Sequence, residues 1–291
     1  MNTSPTDETP FKAAMRAQWN KAAPGWNANA AHLRAWLSLP TDAMCRMAGV
    51  TTGSRVLDVA AGAGEQTLTV AGLVGPRGHV LATDLSPAIV ALARENVQAA
   101  GFANVETRVA DGEDLGVAAS SFDAAVCRLG LMFFADPLRG LREMHRALRP
   151  GGGACAMVFS RPERNPCVAI LMSTALKHAG RPAGDPRSPG GLLSLGQPGH
   201  IDELFRAAGF RDVATTALDA VFHLRSVDDY LAFVRSSASP ILGILGQLAP
   251  AAADAAWAEM RERLDVYTAR DGWAGPNELL LTAGRRSAET T

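Results

Sequence analysis

A chain of 291 residues, 47% hydrophobic and 20% charged, with a formal net charge of −1, can bury a large core. It lacks the basic field that nucleic acid or an anionic membrane would recruit. Its four cysteines, Cys45, Cys127, Cys155 and Cys167, form neither a CxxC pair nor a zinc spacing, so reduced, unpaired thiols are expected. The first forty residues hold Asp7, Glu8, Lys12, Arg16 and Lys21 with no uninterrupted apolar run, which argues against a signal peptide. No window approaches the roughly 20 apolar residues that span a bilayer, and a soluble, cytoplasmic protein is expected.

Residues 1–10 are polar and Pro-containing and read as a disordered tail. Phe11, Met15 and Trp19 recur at helical spacing. A second helix is expected to start at Pro40-Thr41-Asp42 and to close at Gly49, the two forming a helical cap over 11–50. From 51 to 160 short apolar runs alternate with helical stripes. Strands are expected at Arg55–Ala60, His79–Asp84, Val105–Val109, Ala124–Cys127 and Ala154–Phe159, and helices near 65–73, 87–100 and 137–148. Ser86 and Pro87 supply an N-cap and a first helical residue, and Gly101 a stop. Such alternation predicts a Rossmann-like, doubly wound, mostly parallel seven-stranded sheet with helices on both faces. Residues 161–291 then supply a helical cover and the terminal strands of the same sheet. Within them, 180–199 hold six glycines and four prolines and read as a long loop. A helix from His200, a long strand Val213–Leu224 and a helix opened by Ser226 follow. A last helix carries Trp257, Met260, Leu264 and Tyr267, and Glu278–Thr282 is a closing strand.

The strongest local signal is Asp58-Val59-Ala60-Ala61-Gly62-Ala63-Gly64, a strand running through a Gly-x-Gly turn into a helix. Asp84 follows 20 residues after Gly64 at the end of the next strand, where a carboxylate accepts hydrogen bonds from a ribose diol. A nicotinamide site usually shows GxGxxG, but here the third position is Thr67. Asp58, inside the strand, is a residue that nicotinamide sites do not need.

Neighbouring segments carry a resemblance. Asp58-x-x-x-Gly62-x-Gly64, Asp84-Leu85-Ser86, Ala110-Asp111-Gly112-Glu113, Phe122-Asp123 and Leu148-Arg149-Pro150-Gly151-Gly152 occur in this order. Together they resemble the class I S-adenosylmethionine (SAM)-dependent methyltransferases, particularly the ubiquinone- and menaquinone-biosynthesis group, over about residues 15–160. The chain departs at Ala60, where that family commonly has glycine. The resemblance implies that Ala60 to Gly64 cradle the methionine portion of SAM, that Asp84 holds the ribose and that Leu85 lies against the adenine. It also implies that Asp111 accepts from the adenine amino group, that the Gly112 N–H meets a ring nitrogen, and that the segment from Arg128 lines the methyl-donor end. Asp58 reads equally as a structural partner of loop N–H groups, and Asp111 as a cap for the short helix after it. Leu148 to Gly152 reads as a turn.

Methyl transfer from a sulfonium is an in-line displacement that alignment and desolvation accelerate, so no triad or metal is required. His145, His178, His200 and His223 are the candidate bases, and none is singled out by pattern. His145 reads as solvent-facing and His223 as packed in a strand, while His200, after the Gly/Pro loop, is a substrate-side candidate. Among Trp19, Trp26, Met132, Phe133 and Phe134, Trp26 and Met132 are the preferred walls of an apolar acceptor pocket suited to an aromatic or polyketide-like molecule. Trp19 reads as core. The function expected is methyl transfer to a small molecule, with S-adenosylhomocysteine as product and with oxygen favoured over carbon or nitrogen on general grounds. An NAD(P)-dependent oxidoreductase and a non-catalytic SAM-binding protein are the alternatives. Neither nucleic acid nor membrane is expected as a partner, and apolar surface on the C-terminal helices would suit a homodimer.

Overall fold

A computed structural model describes residues 9–182, 185 and 188–288. Two helices come first, α1 (Pro10–Ala28) and α2 (Ala30–Ala48). Then β1 (Arg55–Val59), α3 (Glu65–Val74), β2 (His79–Asp84), α4 (Pro87–Ala99), β3 (Val105–Val109), β4 (Phe122–Arg128), α5 (Pro137–Ala147) and β5 (Leu148–Phe159) alternate. After them come α6 (Pro166–His178), α7 (His200–Ala207), β6 (Arg211–Asp219), β7 (Phe222–Leu224), α8 (Val227–Ser237), α9 (Ser239–Leu245), α10 (Pro250–Leu264), β8 (Thr268–Ala269), β9 (Gly272–Gly275) and β10 (Glu278–Arg285).

The central sheet is seven-stranded in the order β3-β2-β1-β4-β5-β10-β6. Strands β1 to β5 are parallel, and β10 runs antiparallel between β5 and β6. Sequence predicts this because near-continuous apolar strands such as Val56-Leu57 and Ala124-Ala125-Val126, all buried, need cover on both faces. The order reverses between β1 and β4, so the crossovers through α3 and α4 extend the sheet one way and the crossover through α5 the other. Right-handed connections then put the two groups of helices on opposite faces and open a crevice at the carboxyl ends of β1 and β4.

Helix starts follow local chemistry. The Ser86 hydroxyl accepts the Ile89 N–H at 3.1 Å ahead of Pro87, and the Ser226 hydroxyl accepts the Asp229 N–H at 3.1 Å. Elsewhere tertiary packing overrides local signals. Thr9 caps α1 and Pro10 is its first residue, so the polar start is helical from there; residues 1–8 lie outside the described residues. Helix α2 does not begin at Pro40 but runs through it from Ala30, because Leu33, Leu37, Met44, Cys45 and Ala48 form one buried stripe along its length. That burial outweighs the roughly 3 kcal/mol that an interior proline costs. Gly49 (φ 79°) closes α2, with Val50 N–H donating to the Cys45 carbonyl at 2.9 Å.

Three further expectations change. Val213–Leu224 is not one strand: it breaks after Asp219, where the Ala220 N–H donates to Asn277 O (2.8 Å) and the Ala220 carbonyl accepts from the Trp36 indole (2.8 Å). The remainder, β7, joins a separate three-stranded sheet ordered β7-β9-β8, which sequence reading did not anticipate. Leu148 to Gly152 is the bulged start of β5, with a register shift against β4, rather than a turn. Tyr267 lies past the end of α10 in a short 3-10 turn. In the Gly/Pro segment, residues 183, 184, 186 and 187 lie outside the described residues. Its later part is docked, since Gly190 N–H (3.1 Å) and the Ser194 hydroxyl (3.2 Å) both donate to the Met132 carbonyl.

The core has two parts. One surrounds the large sheet; the other joins α6, α8, α9 and α10 to the small sheet around Tyr230, Trp257, Met260 and Trp273. All four cysteines are buried free thiols. No helix among the described residues is long and apolar enough to cross a membrane.

Candidate active site

The β1–α3 turn is built from three residues in the left-handed region, Ala60 (φ 55°), Gly62 (φ 58°) and Gly64 (φ 87°). Glycine adopts it freely, whereas an L-residue such as Ala60 is strained by about 1–2 kcal/mol. Gly62 is also a close approach: a Cβ there would lie 2.9 Å from the Trp26 indole nitrogen. Beneath the turn the buried Asp58 carboxylate accepts from the Gln66 amide and, at 2.7 Å, from the Thr67 hydroxyl. The two sequence anomalies, a carboxylate inside β1 and a threonine in place of a third glycine, are therefore one hydrogen-bonded pair that staples α3 to β1. Burial pushes the Asp58 carboxyl up to about 6, against the pull of Thr67 and Gln66.

At the end of β2, Asp84 accepts the Gly62 N–H (3.1 Å) on one oxygen and the Ser86 N–H (3.0 Å) on the other. A carboxylate offers about four lone-pair sites, so acceptor capacity remains for a ligand. Burial lifts this carboxyl to about 6 as well, with the backbone N–H groups working against it. After β3, Asp111 turns back to accept the Glu113 N–H at 2.9 Å, and both carboxylates grip the Lys12 ammonium of α1 at 2.6 and 2.7 Å. Burial lowers the Lys12 pKa, but hydrogen bonds to Asp111 and Glu113 outweigh it and hold that pKa above its usual range. At the end of β4, Arg128 is buried against Glu65 (2.7 Å) and the Thr41 hydroxyl (2.8 Å).

Several of these groups line one cavity. Ala60, Gly62, Asp84, Leu85, Asp111, Gly112, Arg128, Trp26 and Met132 all line it. Asp58 and Gly64 do not; they shape the turn from below. His200 opens α7, away from the cavity, and no histidine lines it among the described residues. His145 is half-buried rather than solvent-facing and packs edge-on to Phe210 at 5.0 Å, His178 bonds Glu259 at 2.9 Å, and His223 is exposed rather than packed. Trp19, expected as core, is in the cavity wall, edge-on to Trp26 (5.8 Å) and Phe133 (5.2 Å). Sequence reading missed Lys12, Trp36, Phe222, Tyr230 and Phe233, which also line it. Aromatic density between 222 and 233 was the available signal for three of them; Trp36 and Lys12 carried none.

Residues 33–175 match the profile of the ubiE/COQ5 methyltransferase family. The chain is similar to the ubiquinone/menaquinone biosynthesis C-methyltransferase UbiE of Hahella chejuensis, with 38% identity over 122 residues, 42% of this chain and 49% of that protein. Its counterpart in Ectopseudomonas mendocina is 36% identical over 129 residues, 44% and 50%. Over this segment the chain is similar to the ubiE/COQ5 methyltransferases. It spans about half the length of these curated relatives. Solved structures extend the likeness of fold. The YcgJ protein of Bacillus subtilis has a TM-score of 0.58 at 18% identity, over 87% of this chain and all of that one. Phosphoethanolamine N-methyltransferase 2 of Haemonchus contortus, solved with S-adenosylhomocysteine, has a TM-score of 0.59 at 17% identity, over 96% of this chain and 61% of that one.

The residues fit the methyltransferase cofactor. Gly62 brings no side chain of its own into the cavity, and the Trp26 indole packs over it. Asp84 keeps acceptor capacity for a diol, and Asp111 and Gly112 offer an acceptor and a backbone donor further along the same wall.

Proposed function

We propose that the chain transfers a methyl group from SAM to an apolar, ring-containing small molecule, leaving S-adenosylhomocysteine. The observation that carries this reading is that Asp84 and the Gly62 turn open into the same cavity as the aromatic wall of Trp19, Trp26, Trp36, Phe133 and Phe222.

When bound, SAM supplies a sulfonium-activated methyl group. Asp84 would fix the ribose hydroxyls, Asp111 and the Gly112 N–H the adenine, and the Ala60–Gly64 turn the methionine portion. The indole and phenyl walls exclude water and lay the acceptor flat, which is alignment and desolvation rather than acid–base work. The ionisable side chains Lys12, Asp84, Asp111, Glu113 and Arg128 all belong to the cofactor half of the cavity. In the acceptor half Tyr230 is the one ionisable side chain among the described residues, and burial raises its pKa well above the usual tyrosine range. The acceptor therefore arrives as an anion or enol-type nucleophile, or releases its proton to solvent, and no side chain among the described residues takes that proton at neutral pH. Oxygen and carbon acceptors both meet that description. The preference for oxygen has no residue behind it, and the relatives are named C-methyltransferases. A reduced, cytoplasmic setting suits the four buried free thiols.

Titration calorimetry with S-adenosylhomocysteine on the wild type and on Asp84→Ala tests this. Micromolar binding weakened at least tenfold, about 1.4 kcal/mol, is the expected result. No binding to the wild type where NAD does bind overturns it in favour of an oxidoreductase.

A further inference from the structure

Residues after 160 bring four polar side chains to the cavity: Tyr230, Ser237, Ser239 and Asn277. Three of them are spent within the protein. The Ser237 hydroxyl donates to the Phe233 carbonyl (2.5 Å), the Ser239 hydroxyl to the Gln18 amide oxygen (3.4 Å), and the Asn277 amide to the Gly275 carbonyl (3.1 Å). The Tyr230 hydroxyl has no hydrogen-bond partner among the described residues. Its ring is fixed, stacked on Trp273 at a centroid distance of 4.2 Å and edge-on to Phe222 at 6.0 Å. The residue is 5% exposed, yet its oxygen is not among the fully enclosed atoms that lack a partner. The side chain is part of the cavity wall.

A buried hydroxyl left unpaired is destabilising, and a correct partner recovers that loss. A rigid donor in an otherwise apolar wall discriminates by that difference, because a ligand lacking an acceptor there leaves the group unsatisfied. Tyr230 sits at the start of α8, whose Ser226 cap and Val227, Leu231 and Val234 stripe hold it against the second core. Nothing on its own helix competes for the hydroxyl.

We infer that Tyr230 is the positioning residue for the acceptor, donating its hydroxyl hydrogen to a carbonyl or phenolate-type oxygen on the ring system that the aromatic wall holds. This deepens the methyltransferase reading and rests on it for the word acceptor. The oxygen it binds fixes which edge of the ring faces the cofactor half, so Tyr230 sets where the methyl lands without taking part in the transfer. The retained donor also defines the ligand class: flat, apolar, and oxygenated on one edge.

The test uses two bicyclic probes of near-equal shape, 1-tetralone and its hydrocarbon counterpart tetralin. Binding is measured by calorimetry on the wild type and Tyr230→Phe with saturating S-adenosylhomocysteine. We expect Tyr230→Phe to lose about five- to tenfold in tetralone affinity, the range of one net hydrogen bond. Tetralin should stay within twofold, S-adenosylhomocysteine affinity should be unchanged, and the melting temperature should be equal or higher. Unchanged tetralone affinity overturns the inference. So does an equal loss for both probes, which would make the side chain mere packing, and so does a wild type that binds neither probe while S-adenosylhomocysteine binds. If S-adenosylhomocysteine itself fails to bind, the methyltransferase reading falls. The probes, titrated without it, still report whether Tyr230 recognises a ring oxygen.

Discussion

Gly130 and Ala60 face each other across the cavity floor, and a Cβ built on Gly130 would lie 2.4 Å from the Ala60 methyl and 3.2 Å from Cys127 Sγ. Neither neighbour is the far end of a flexible chain. The methyl group at 60 and the missing one at 130 are therefore a matched pair, and the departure from glycine at 60 is accommodated from the turn that follows β4.

Gly130→Ala should weaken S-adenosylhomocysteine binding at least tenfold and destabilise the fold by about 1–3 kcal/mol through overpacking. The double variant Ala60→Gly/Gly130→Ala should recover most of both losses. Ala60→Gly alone should leave the melting temperature nearly unchanged, because relief of its left-handed strain offsets the greater freedom of glycine in the unfolded chain. Calorimetry and thermal melts of the four proteins check this.

Lowering the pH should move cofactor affinity and intrinsic stability in opposite directions. Burial lifts Asp84 and Asp58 to about 6 in the folded, ligand-free protein, against about 3.9 for aspartate in an unfolded chain. Between those values the folded state holds protons that the unfolded state has lost. Their contribution to stability is thus largest below pH 4 and disappears as the pH rises through 6. A ribose diol needs the ionised Asp84, so S-adenosylhomocysteine binding should weaken below pH 6, by up to tenfold per pH unit. Asp84→Asn should bind weakly and lose that pH dependence.

The Arg128–Glu65 pair, about 5% and 7% exposed, is buried deeply enough that breaking one half strands the other charge. Glu65→Gln should cost about 3–5 kcal/mol in urea unfolding, whereas replacing both partners with apolar residues of similar volume, Arg128→Met with Glu65→Leu, should cost far less. A double-mutant cycle separates the two.

Lys12 ties α1 to Asp111 and Glu113 at the cavity wall. Lys12→Met should accelerate both entry and release of S-adenosylhomocysteine, each by about tenfold, or 1.4 kcal/mol off the opening barrier, with less than threefold change in Kd. Stopped-flow tryptophan fluorescence would read it through Trp19 and Trp26. A changed Kd with unaltered release would show that Lys12 contacts the ligand and does not fasten the helix.

The half of the site that was legible in sequence is the half made by local motifs. Gly62, Asp84 and Asp111 each lie at or just past the end of a strand of the parallel sheet, so the periodicity that predicts the strand also places the residue. The acceptor half was not legible, because Trp36, Tyr230 and Asn277 meet only after α2, α8 and the β9–β10 connection have packed. Pro40 misled for the same reason, since a stripe of five buried residues decides the course of α2 and one proline does not. Ala220 shows the reverse case. Val213–Leu224 has strand texture throughout, and only the bonds to Asn277 and Trp36 stop it.

The position of β10 sets the timetable of assembly. Emerging from the ribosome in chain order, β5 and β6 are complete long before the segment that joins them, because β6 has no neighbour in the sheet except β10. Until residues 278–285 are made, the sheet carries an open slot flanked by two unpaired backbone edges, the sort of template that recruits a foreign strand. The wall built on β1, β2 and β4 can take shape early, while the opposite wall waits for the last strand and for Asn277 just before it. A nascent chain stalled in α10 should thus bind holding chaperones tightly, and its release should coincide with the threading of that one strand.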